Sequence, residues 1–437
     1  MSHTIASNEA IAESKSLIDF VANSPSAFHV VDNLKRKLID NGFEQLDLRN
    51  AWNVKTGGRY FLTFNGTSLV ALHLGDDLRG GNGFRMIASH SDSPTFRIKP
   101  NNTSRVANDT RLSVETYGGA ILYSWLDRPI SLAGRVILRS DDPMRPESKL
   151  VDFKRPIGVI PSVAIHFNRN VNDGFAFNKQ VDMQILAQAS SSLQQLAVTD
   201  YLSQLLDIES DSVLDFDLYA YDTTPGSIAG FDNSLLICPK QDNLTMAYES
   251  FLAFVDTLDS NVSKMLIVLD NEEVGSGTKQ GAASPLVKNV LERICSKLCL
   301  DVETSQRVVY NSFLVSADMA HAIHPNHPEL SDPANYPVLN GGPVIKYNAN
   351  QKYMTDADGA AVFKLACQKA NVPCQSFVNR SDIPGGSTLG NIMTSQLPLR
   401  GVDVGNPMLA MHSCCETGGT QDPLFLRLAL RQFMSQN

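Results

Sequence analysis

Cysteine is scarce and unevenly spread in this chain of 437 residues. The first 237 residues contain none, and the seven that follow include no Cys-x-x-Cys pair. An odd number of cysteines without paired spacing does not suit a disulfide framework, so we expect reduced thiols in a cytoplasmic protein. Cys414 and Cys415 stand near His412, but adjacent residues on an extended segment point to opposite faces. We therefore interpret them as buried apolar thiols.

Long apolar runs and long basic runs are also lacking. The apolar runs, such as MLIVL at 265–269, have the length of a strand and fall short of the roughly 20 residues of a membrane span. The N-terminal segment MSHTIASNEAIAESKSLIDF has no basic stretch followed by an apolar one, so no secretory signal is expected. The net charge is −9 with a pI near 5.5, and no Lys/Arg run could follow a phosphate backbone. We therefore expect neither nucleic acid nor a membrane as a partner.

The composition that is present is that of an ordinary globular protein. Hydrophobic residues make up 43% and charged residues 19% of the chain, so a large core can be buried. The length exceeds that of a typical single domain, which favours two domains.

The sequence pattern of the N-terminal half of the chain changes near residue 100. Residues 11–40 carry apolar side chains at helical spacing with a break at Ser24-Pro25-Ser26, which predicts two helices. Segments 59–74 and 84–89 are typical of strands. From Asn101 to about Asn233, short β-like runs alternate with Gly, Pro, Asp and Asn, and one helix is predicted near 192–207.

After residue 236 strands and helices alternate, which predicts a mostly parallel sheet covered on both faces. The predicted helices cover 243–257, 286–299, 358–370 and 423–434, and the predicted strands cover 265–269, 312–316 and 375–378. The fold class is therefore α/β. We predict one discontinuous domain of residues 1–100 and 236–437, interrupted by a β-rich insertion of residues 101–235.

Polar residues with metal-binding chemistry follow several predicted strands. FRMIAS leads to His90 and Asp92, MLIVL leads to Asp270-Asn271-Glu272-Glu273, SFLVS leads to Asp318, and LRGVDVGNPMLAM leads to His412. Asp242 is expected at the N-cap of the 243–257 helix. Because active sites of open α/β sheets lie at the carboxyl ends of the strands, these side chains should converge. Such a concentration of carboxylates is costly unless a cation neutralises it.

The number of candidate ligands suits two metal ions. Each ion would take one histidine, His90 or His412, and one terminal carboxylate, Glu273 or Asp318, while Asp242 bridges both. Imidazole and carboxylate ligands suit Zn²⁺, with Mn²⁺ or Co²⁺ as competitors. Two ions about 3.5–4 Å apart can hold a bridging hydroxide and polarise a peptide carbonyl.

Two further carboxylates have expected roles beside the ligands. Glu272 can face the hydroxide and act as the general base. Asp92 can accept the second N–H of the His90 imidazole and hold the tautomer needed for ligation. A histidine after a strand, a Glu-Glu pair or an aspartate at a helix start is individually ordinary. Their arrival together predicts a site, although spacing alone does not separate a peptidase from another dinuclear hydrolase.

Eight segments in order carry a family resemblance: ASHSDSPTFRIKP, YGGAILYSWLDRPISLAGRV, HFNR…FNKQ, QDNLTM, DNEEVGSGTKQGA, SADMAHAIHPNHPE, GGPVIKYNANQKY and GVDVGNPMLAMHS. Over nearly its whole length the chain resembles the aspartyl aminopeptidases of the M18 peptidase family. The resemblance implies a zinc-peptidase α/β/α sandwich interrupted by a β-rich dimerisation domain. It also implies release of N-terminal Asp or Glu from peptides, and the same metal ligands, base and orienting acid. Members form large homo-oligomers, so a dodecamer is expected.

The resemblance adds residues that the pattern alone would not select. It implies that His166 enters a neighbouring subunit's site, where it contacts substrate; metal ligation by His166 is the alternative. It places Lys346 near the substrate's acidic side chain, the alternative being a solvated loop cation, and Tyr353 near the reacting centre. His321 and His324 are interpreted as supporting the site by hydrogen bonds, with direct substrate contact as the alternative.

One departure from the family pattern concerns Gly385 in RSDIPGGSTLG, where members commonly have Cys. The resemblance places this loop near the substrate's free amino group, where its backbone should keep its role, so the departure bears on the fine substrate preference and not on the family assignment. Two other functions remain as alternatives: a di-zinc aminopeptidase of broader specificity, and a non-catalytic assembly protein of the same fold. Decayed ligands would favour the assembly protein, and none is decayed here.

Overall fold

The fold is given by a computed structural model that describes residues 6–189 and 197–436. The helices within these residues are α1 Asn8–Ala22, α2 Ala27–Asp40, α3 Val198–Leu206, α4 Gln241–Val255, α5 Leu286–Lys297, α6 Val302–Asn311, α7 Ala357–Ala370, α8 Leu389–Thr394 and α9 Asp422–Met434. The strands fall into three sheets.

The largest sheet has nine strands. In chain order they are β1 Glu44–Gln45, β2 Arg59–Phe64, β3 Ser68–His73, β4 Arg85–His90, β13 Lys264–Leu269, β14 Phe313–Ala317, β16 Val344–Tyr347, β17 Gln375–Val378 and β18 Arg400–Gly405. Their spatial order is β1-β2-β3-β13-β4-β14-β18-β16-β17. The central strands β13, β4, β14 and β18 are parallel to one another, while β3 and β16 join them antiparallel. The predicted mostly parallel sheet is confirmed.

Helices cover both faces of this sheet, because its strands are apolar on both sides. In β13, Leu266 and Val268 face a core that includes residues of α1, α2, α4, α7 and α9. Met265 and Ile267 face a second core with residues of α5, α6 and α8. This alternation of period two places one helical layer on each side, and the α/β/α sandwich follows from it.

A second sheet occupies the middle of the chain and has its own core. Its six strands are β5 Thr95–Val106, β6 Asp109–Tyr117, β7 Ile130–Leu138, β8 Glu147–Asp152, β9 Ile185–Ala189 and β10 Val213–Asp222, in the order β8-β7-β10-β5-β6-β9. Phe96, Trp125 and Leu218 belong to its core. The strands fall near the predicted insertion of residues 101–235, whose domain boundaries stay a prediction.

A third, small sheet lies beside the start of α4. It contains β11 Ser227–Ala229, β12 Leu235–Cys238, β15 Ala320–His321, β19 Pro407–Leu409 and β20 Glu416–Gly419. The order is β11-β12-β20-β19-β15. Because β15 follows β14 and β19 follows β18 after short turns, this sheet continues directly from the carboxyl ends of the central strands.

Local sequence signals explain several boundaries. Two helices within 11–40 are confirmed, and Ser7 caps α1 by accepting a hydrogen bond from Ala10 N at 3.1 Å. The predicted 59–74 strand is a hairpin of β2 and β3 whose turn, Asn65-Gly66, has φ of +57° and +74°. Such a turn requires residues that tolerate left-handed backbone.

Several elements were not predicted from the sequence, and for three of them the structure gives a physical reason. Helix α6 buries only Val308, so its apolar stripe is weak. Helix α8 has six residues, and β16 has four, of which one is Lys346. The predicted helix near 192–207 corresponds to α3 over 198–206; residues 192–196 lie outside the described residues.

Two further expectations concern the cysteines and the membrane. All seven cysteines are free thiols, as the missing pair spacing predicted. Within the described ranges, no helix combines the length and the apolar character that crossing a bilayer requires.

Candidate metal centre

Three adjacent parallel strands bring polar residues to one edge of the large sheet. Strand β4 ends at His90, β13 ends immediately before Asp270, and β14 ends immediately before Asp318. Their parallel pairing aligns Leu269 with His90 across the sheet, so the residues that follow emerge side by side.

Asp242 reaches the same place from the start of α4. We expected it to cap this helix, but its own backbone is irregular, with φ −81° and ψ +104°, and regular helix begins after Asn243. The Asp242 carboxylate is buried and faces the imidazoles of His90 and His412. The prediction of a simple N-cap is therefore wrong, because tertiary contacts hold the side chain away from a cap geometry.

His412 comes from the turn after β19. Its backbone adopts a left-handed conformation with φ +70°, which is uncommon for a residue other than glycine. Its Nδ1 lies 3.3 Å from the carbonyl oxygen of Gly119, an acceptor, which leaves Nε2 to face the carboxylates.

The Asp242 carboxylate lies between two histidine–carboxylate pairs. Its Oδ1 is 3.5 Å from His90 Nε2, which is 3.7 Å from Asp318 Oδ1. Its Oδ2 is 3.5 Å from His412 Nε2, which is 3.4 Å from Glu273 Oε2. The structure thus groups Asp318 with His90 and Glu273 with His412, a pairing that the sequence left open.

These groups fit metal ions. Ligand atoms on a tetrahedral zinc ion, with bonds of 2.0–2.1 Å, stand about 3.3 Å apart, close to the separations seen here. Each triad offers one ligand atom per residue within 4.8 Å of the others. Three buried atoms, His90 Nε2, Asp242 Oδ1 and Glu273 Oε1, have no hydrogen-bond partner among the described residues. Such orphaned atoms are costly, and a bound cation would satisfy them.

Asp92 organises the turn beside His90. Its carboxylate oxygens accept hydrogen bonds from the backbone N–H groups of Glu272 and Glu273, both at 3.2 Å. The Nδ1 of His90 lies 3.1 Å from the Asp92 carbonyl oxygen and 3.3 Å from its carboxylate. Asp92 therefore both orients the imidazole and sets the Glu272–Glu273 backbone.

Tyr117 and Asn271 complete this support, and no pattern in the sequence indicated a role for either. The Tyr117 hydroxyl donates to Asp92 Oδ2 at 2.7 Å, and Asn271 Nδ2 donates to the Tyr117 hydroxyl at 2.8 Å. The only sequence signal for Tyr117 was its position in the segment YGGAILYSW, which carried no chemical pattern of its own. Asn271 lies between two acidic residues in the sequence, but neither its type nor its position indicated a supporting role.

The charges in the site shift its pKa values strongly. Burial, together with the negative charges of the Asp318 and Asp242 carboxylates, raises the pKa of Glu272 to about 8 against the opposing effect of His90. Burial would lower the pKa of His90, yet Asp318, Asp92 and Glu272 hold it well above its usual value. The side chains of this site therefore carry an excess of negative charge, which favours binding of a cation.

Lys346 is a buried cation at the edge of this cluster. Its Nζ lies 3.5 Å from Asp318 Oδ2, donates to the carbonyl oxygen of Met319 at 2.9 Å, and lies 5.2 Å from the ring centroid of the buried Tyr353. Burial alone would raise the pKa of Asp318, but Lys346 and His90 hold it at about 2. A solvated loop cation is excluded, because Lys346 is buried within β16.

His166 stands apart from the other predicted residues in this single chain. It lies on an exposed turn between β8 and β9. The groups of potential ligands that meet within 4.8 Å in the described residues do not include it. His321 lies at the end of β15, with its ring 5.9 Å from that of Phe377, the neighbour of Lys346 across β16 and β17.

Gly385 is held close to a side chain. A Cβ built at this position would lie 2.3 Å from Asn379 Oδ1. A cysteine here, as in the family pattern, would have to displace the Asn379 amide, so the glycine and the asparagine are matched to one another.

The chain matches the family described as "Aminopeptidase I zinc metalloprotease (M18)" over residues 20–434. The "Probable M18 family aminopeptidase 2" of Clostridium acetobutylicum is 43% identical over 425 residues, covering 96% of this chain and 98% of that protein. The chain belongs to the M18 family of zinc aminopeptidases. A protein of the same name from Pseudomonas syringae pv. syringae is 41% identical, in an alignment that covers 97% of this chain and 98% of that protein.

Several solved structures share the fold of this chain. The cryo-EM structure of the Ape4 and Nbr1 complex matches with a TM-score of 0.94 at 34% identity, covering 99% of this chain and 87% of that chain. The S. cerevisiae mApe1 dodecamer matches with a TM-score of 0.86 at 26% identity, covering 98% of each chain. The M18 aminopeptidase of Thermotoga maritima has the same fold, with a TM-score of 0.88 at 22% identity. The match covers 100% of this chain and 98% of that chain.

We expect Zn²⁺ to raise the unfolding temperature of chelator-treated protein, because the cation neutralises the buried carboxylates of the folded state alone. Free zinc at about 100 times its dissociation constant adds about 2.7 kcal/mol to the free energy of unfolding. Scanning calorimetry measures the shift. His90→Ala should lose most of it, whereas His327→Ala, at an exposed histidine paired with Glu329, should keep it. An unfolding temperature indifferent to both zinc and chelator would contradict a metal centre here.

Proposed function

We propose that the protein is a di-zinc aminopeptidase that releases N-terminal Asp and Glu from peptides. The observation that carries the proposal is the Asp242 carboxylate between two histidine–carboxylate pairs, with a buried lysine beside one of them. Two triads sharing one carboxylate suit a pair of ions, and the lysine suits an acidic substrate side chain.

The proposed ligands follow from the distances. His90 and Asp318 would hold one ion, Glu273 and His412 would hold the other, and Asp242 would bridge them. When bound, two zinc ions would supply Lewis-acid polarisation of the scissile carbonyl and lower the pKa of an attacking water. Mn²⁺ or Co²⁺ can occupy sites of the same ligand type.

Glu272 is the proposed general base. Its Oε2 lies 3.9 Å from His90 Nε2, at the mouth of the centre, and its backbone is held by Asp92. From there the carboxylate can take the proton of the attacking water and deliver it to the leaving amine. Asp92 is a positioning residue, because it acts through His90 and the Glu272 backbone.

Glu272→Gln keeps the size of the side chain and removes its ability to accept a proton. We expect kcat to fall by about 10²–10⁴, while zinc content measured by elemental analysis stays near that of the wild type. Glu292→Gln, on the exposed face of α5, is the matched control and should leave turnover unchanged. Near-normal turnover in the Glu272 variant would remove this residue from the role of base.

Acidic specificity is assigned to Lys346. A carboxylate leaving water needs a charged partner, and Lys346 is a buried cation beside the centre. Asp318 and the Met319 carbonyl occupy part of its hydrogen-bonding capacity, and an ammonium has three donors. One donor is therefore available for the side-chain carboxylate of a substrate, with the Tyr353 ring close by.

Lys346→Met should lower kcat/KM for Asp-peptides by roughly 10- to 200-fold, on the order of 1.5–3 kcal/mol, because the charged hydrogen bond is lost. Neutral substrates should lose much less. Zinc content must be measured alongside, since Lys346 also contacts Asp318. Equal losses on Asp- and Leu-terminated peptides would assign Lys346 to support of the site. Equal kcat/KM for both peptides in the wild type would instead favour the broader-specificity enzyme.

His166 is proposed to act in a neighbouring subunit of a dodecamer. Its turn exposes apolar side chains to solvent, with Val163 57%, Ile165 48% and Phe167 88% exposed. Exposed apolar clusters of this kind mark interaction sites. The S. cerevisiae mApe1 relative is a dodecamer, which supports a homo-oligomer in which this turn is covered and His166 meets the substrate bound by the next subunit.

Mixed assemblies of His166→Ala and Glu272→Gln subunits test delivery between subunits. Each variant alone should be nearly inactive. Co-expression should restore activity, because a His166→Ala subunit keeps its own Glu272 and receives an intact His166 from its neighbour. His412→Ala mixed with Glu272→Gln is the control and should stay inactive, since both changes damage a site within one chain. Failure of the His166 mixture to recover, with mixed assembly verified, would contradict the proposal.

A further inference from the structure

Glu416 contacts two parts of the centre at once. It is 1% exposed and lies at the start of β20. One carboxyl oxygen, Oε1, accepts a hydrogen bond from the backbone N–H of His412 at 2.8 Å. The other, Oε2, accepts from the backbone N–H of Asp242 at 3.1 Å. A single side chain therefore links the bridging carboxylate to one of the two histidines, although these residues are 170 positions apart in the chain.

Both backbone segments held in this way are irregular. His412 has φ +70° and Ala410 has φ +56°, in a region that residues with a Cβ seldom adopt. Such a conformation persists only when surrounding contacts determine it. Asp242 precedes the regular part of α4, so its N–H group is outside the helical hydrogen-bond pattern. Each segment depends on an acceptor that lies outside its own secondary structure.

Glu416 is itself held rigidly. Strand β20 pairs with β12, where Cys238 is opposite Glu416, and with β19. The carbonyl oxygen of Glu416 accepts from Gln241 Nε2 at 2.9 Å. Because Gln241 precedes Asp242, the strand and the start of α4 are joined both through the backbone of Glu416 and through its side chain.

We propose that Glu416 is a positioning residue that holds Asp242 and His412 at the spacing needed to bind the metal ion on the His412 side. The proposal rests on the ligand set of the proposed function. The effect should be unequal between the two ions. His412 and Asp242 both belong to the triad with Glu273, whereas the triad of His90 and Asp318 shares only Asp242.

Glu416→Gln tests the proposal with little change in shape. A glutamine keeps one acceptor oxygen and presents an amide N–H₂ in place of the other, so one backbone N–H faces a donor. We expect the variant to keep one zinc ion near the wild-type affinity and to bind the second about 10- to 100-fold more weakly, the usual loss when a supporting hydrogen bond to a ligand is removed. Competition with a chromogenic chelator and elemental analysis measure both ions without reference to activity.

Asp422→Asn is the matched control. Asp422 is also fully buried, and it accepts the backbone N–H groups of Asn340 and Gly342 at 2.7 and 2.9 Å. It is not a member of either triad. The control removes the same kind of contact near the same sheet, so it should lower the unfolding temperature while keeping both zinc affinities. Glu416→Asp keeps two acceptor oxygens on a shorter side chain, and it should also weaken the binding of one zinc ion selectively.

Three results would overturn the proposal. Two wild-type zinc affinities in both Glu416 variants would show that the contact does not hold the centre. An equal loss of affinity for both zinc ions would contradict the predicted difference between the two sites. Unfolding of both Glu416 variants while Asp422→Asn stays folded would assign Glu416 to general stability. A wild-type protein that binds fewer than two zinc ions would instead contradict the proposed function and its ligand set.

Discussion

The repulsion between carboxylates gathered at the edge of one sheet dominates the structure around the centre. Asp242, Glu273 and Asp318 stand within a few ångströms of two imidazoles, and Glu272 joins them at the mouth. Little water reaches these groups, so their charges are weakly screened. The folded chain tolerates them because each backbone segment is held from outside and because cations can enter between the oxygen and nitrogen atoms. Lys346 is a buried cation that the protein itself places beside Asp318.

Hydrogen bonds to backbone N–H groups hold the segments of the centre in place despite this repulsion. Asp92 accepts two N–H groups from the Glu272–Glu273 turn, and Glu416 accepts the N–H groups of Asp242 and His412. Carboxylates used in this way add negative charge, but they fix the positions of the segments that carry the reactive groups. A metal site depends on such partners for ligand orientation as much as on the ligands.

The three sheets have separate tasks in this arrangement. The parallel strands of the large sheet deliver His90, Asp270–Glu273 and Asp318 to a common edge. The small sheet carries Glu416 and leads to His412. The six-stranded sheet supplies Tyr117, at the end of β6, and also the exposed turn that carries His166. The centre therefore forms where the three sheets meet, and its electrostatics depend on all of them.

The sequence by itself determined the α/β class, the paired N-terminal helices and the identity of the groups that converge, because these follow from periodicity and from the residues placed after each strand. It could not determine which carboxylate faces which histidine. That pairing depends on strand order and on the position of α4, which join residues such as Asp242 and Glu416 across long stretches of chain. The apolar periodicity also did not predict elements that bury few side chains, such as α6. Lys346 shows the same division: its charge was visible in the sequence, but its burial beside Asp318 depends on how β16 pairs with β18, and only the tertiary structure decided that.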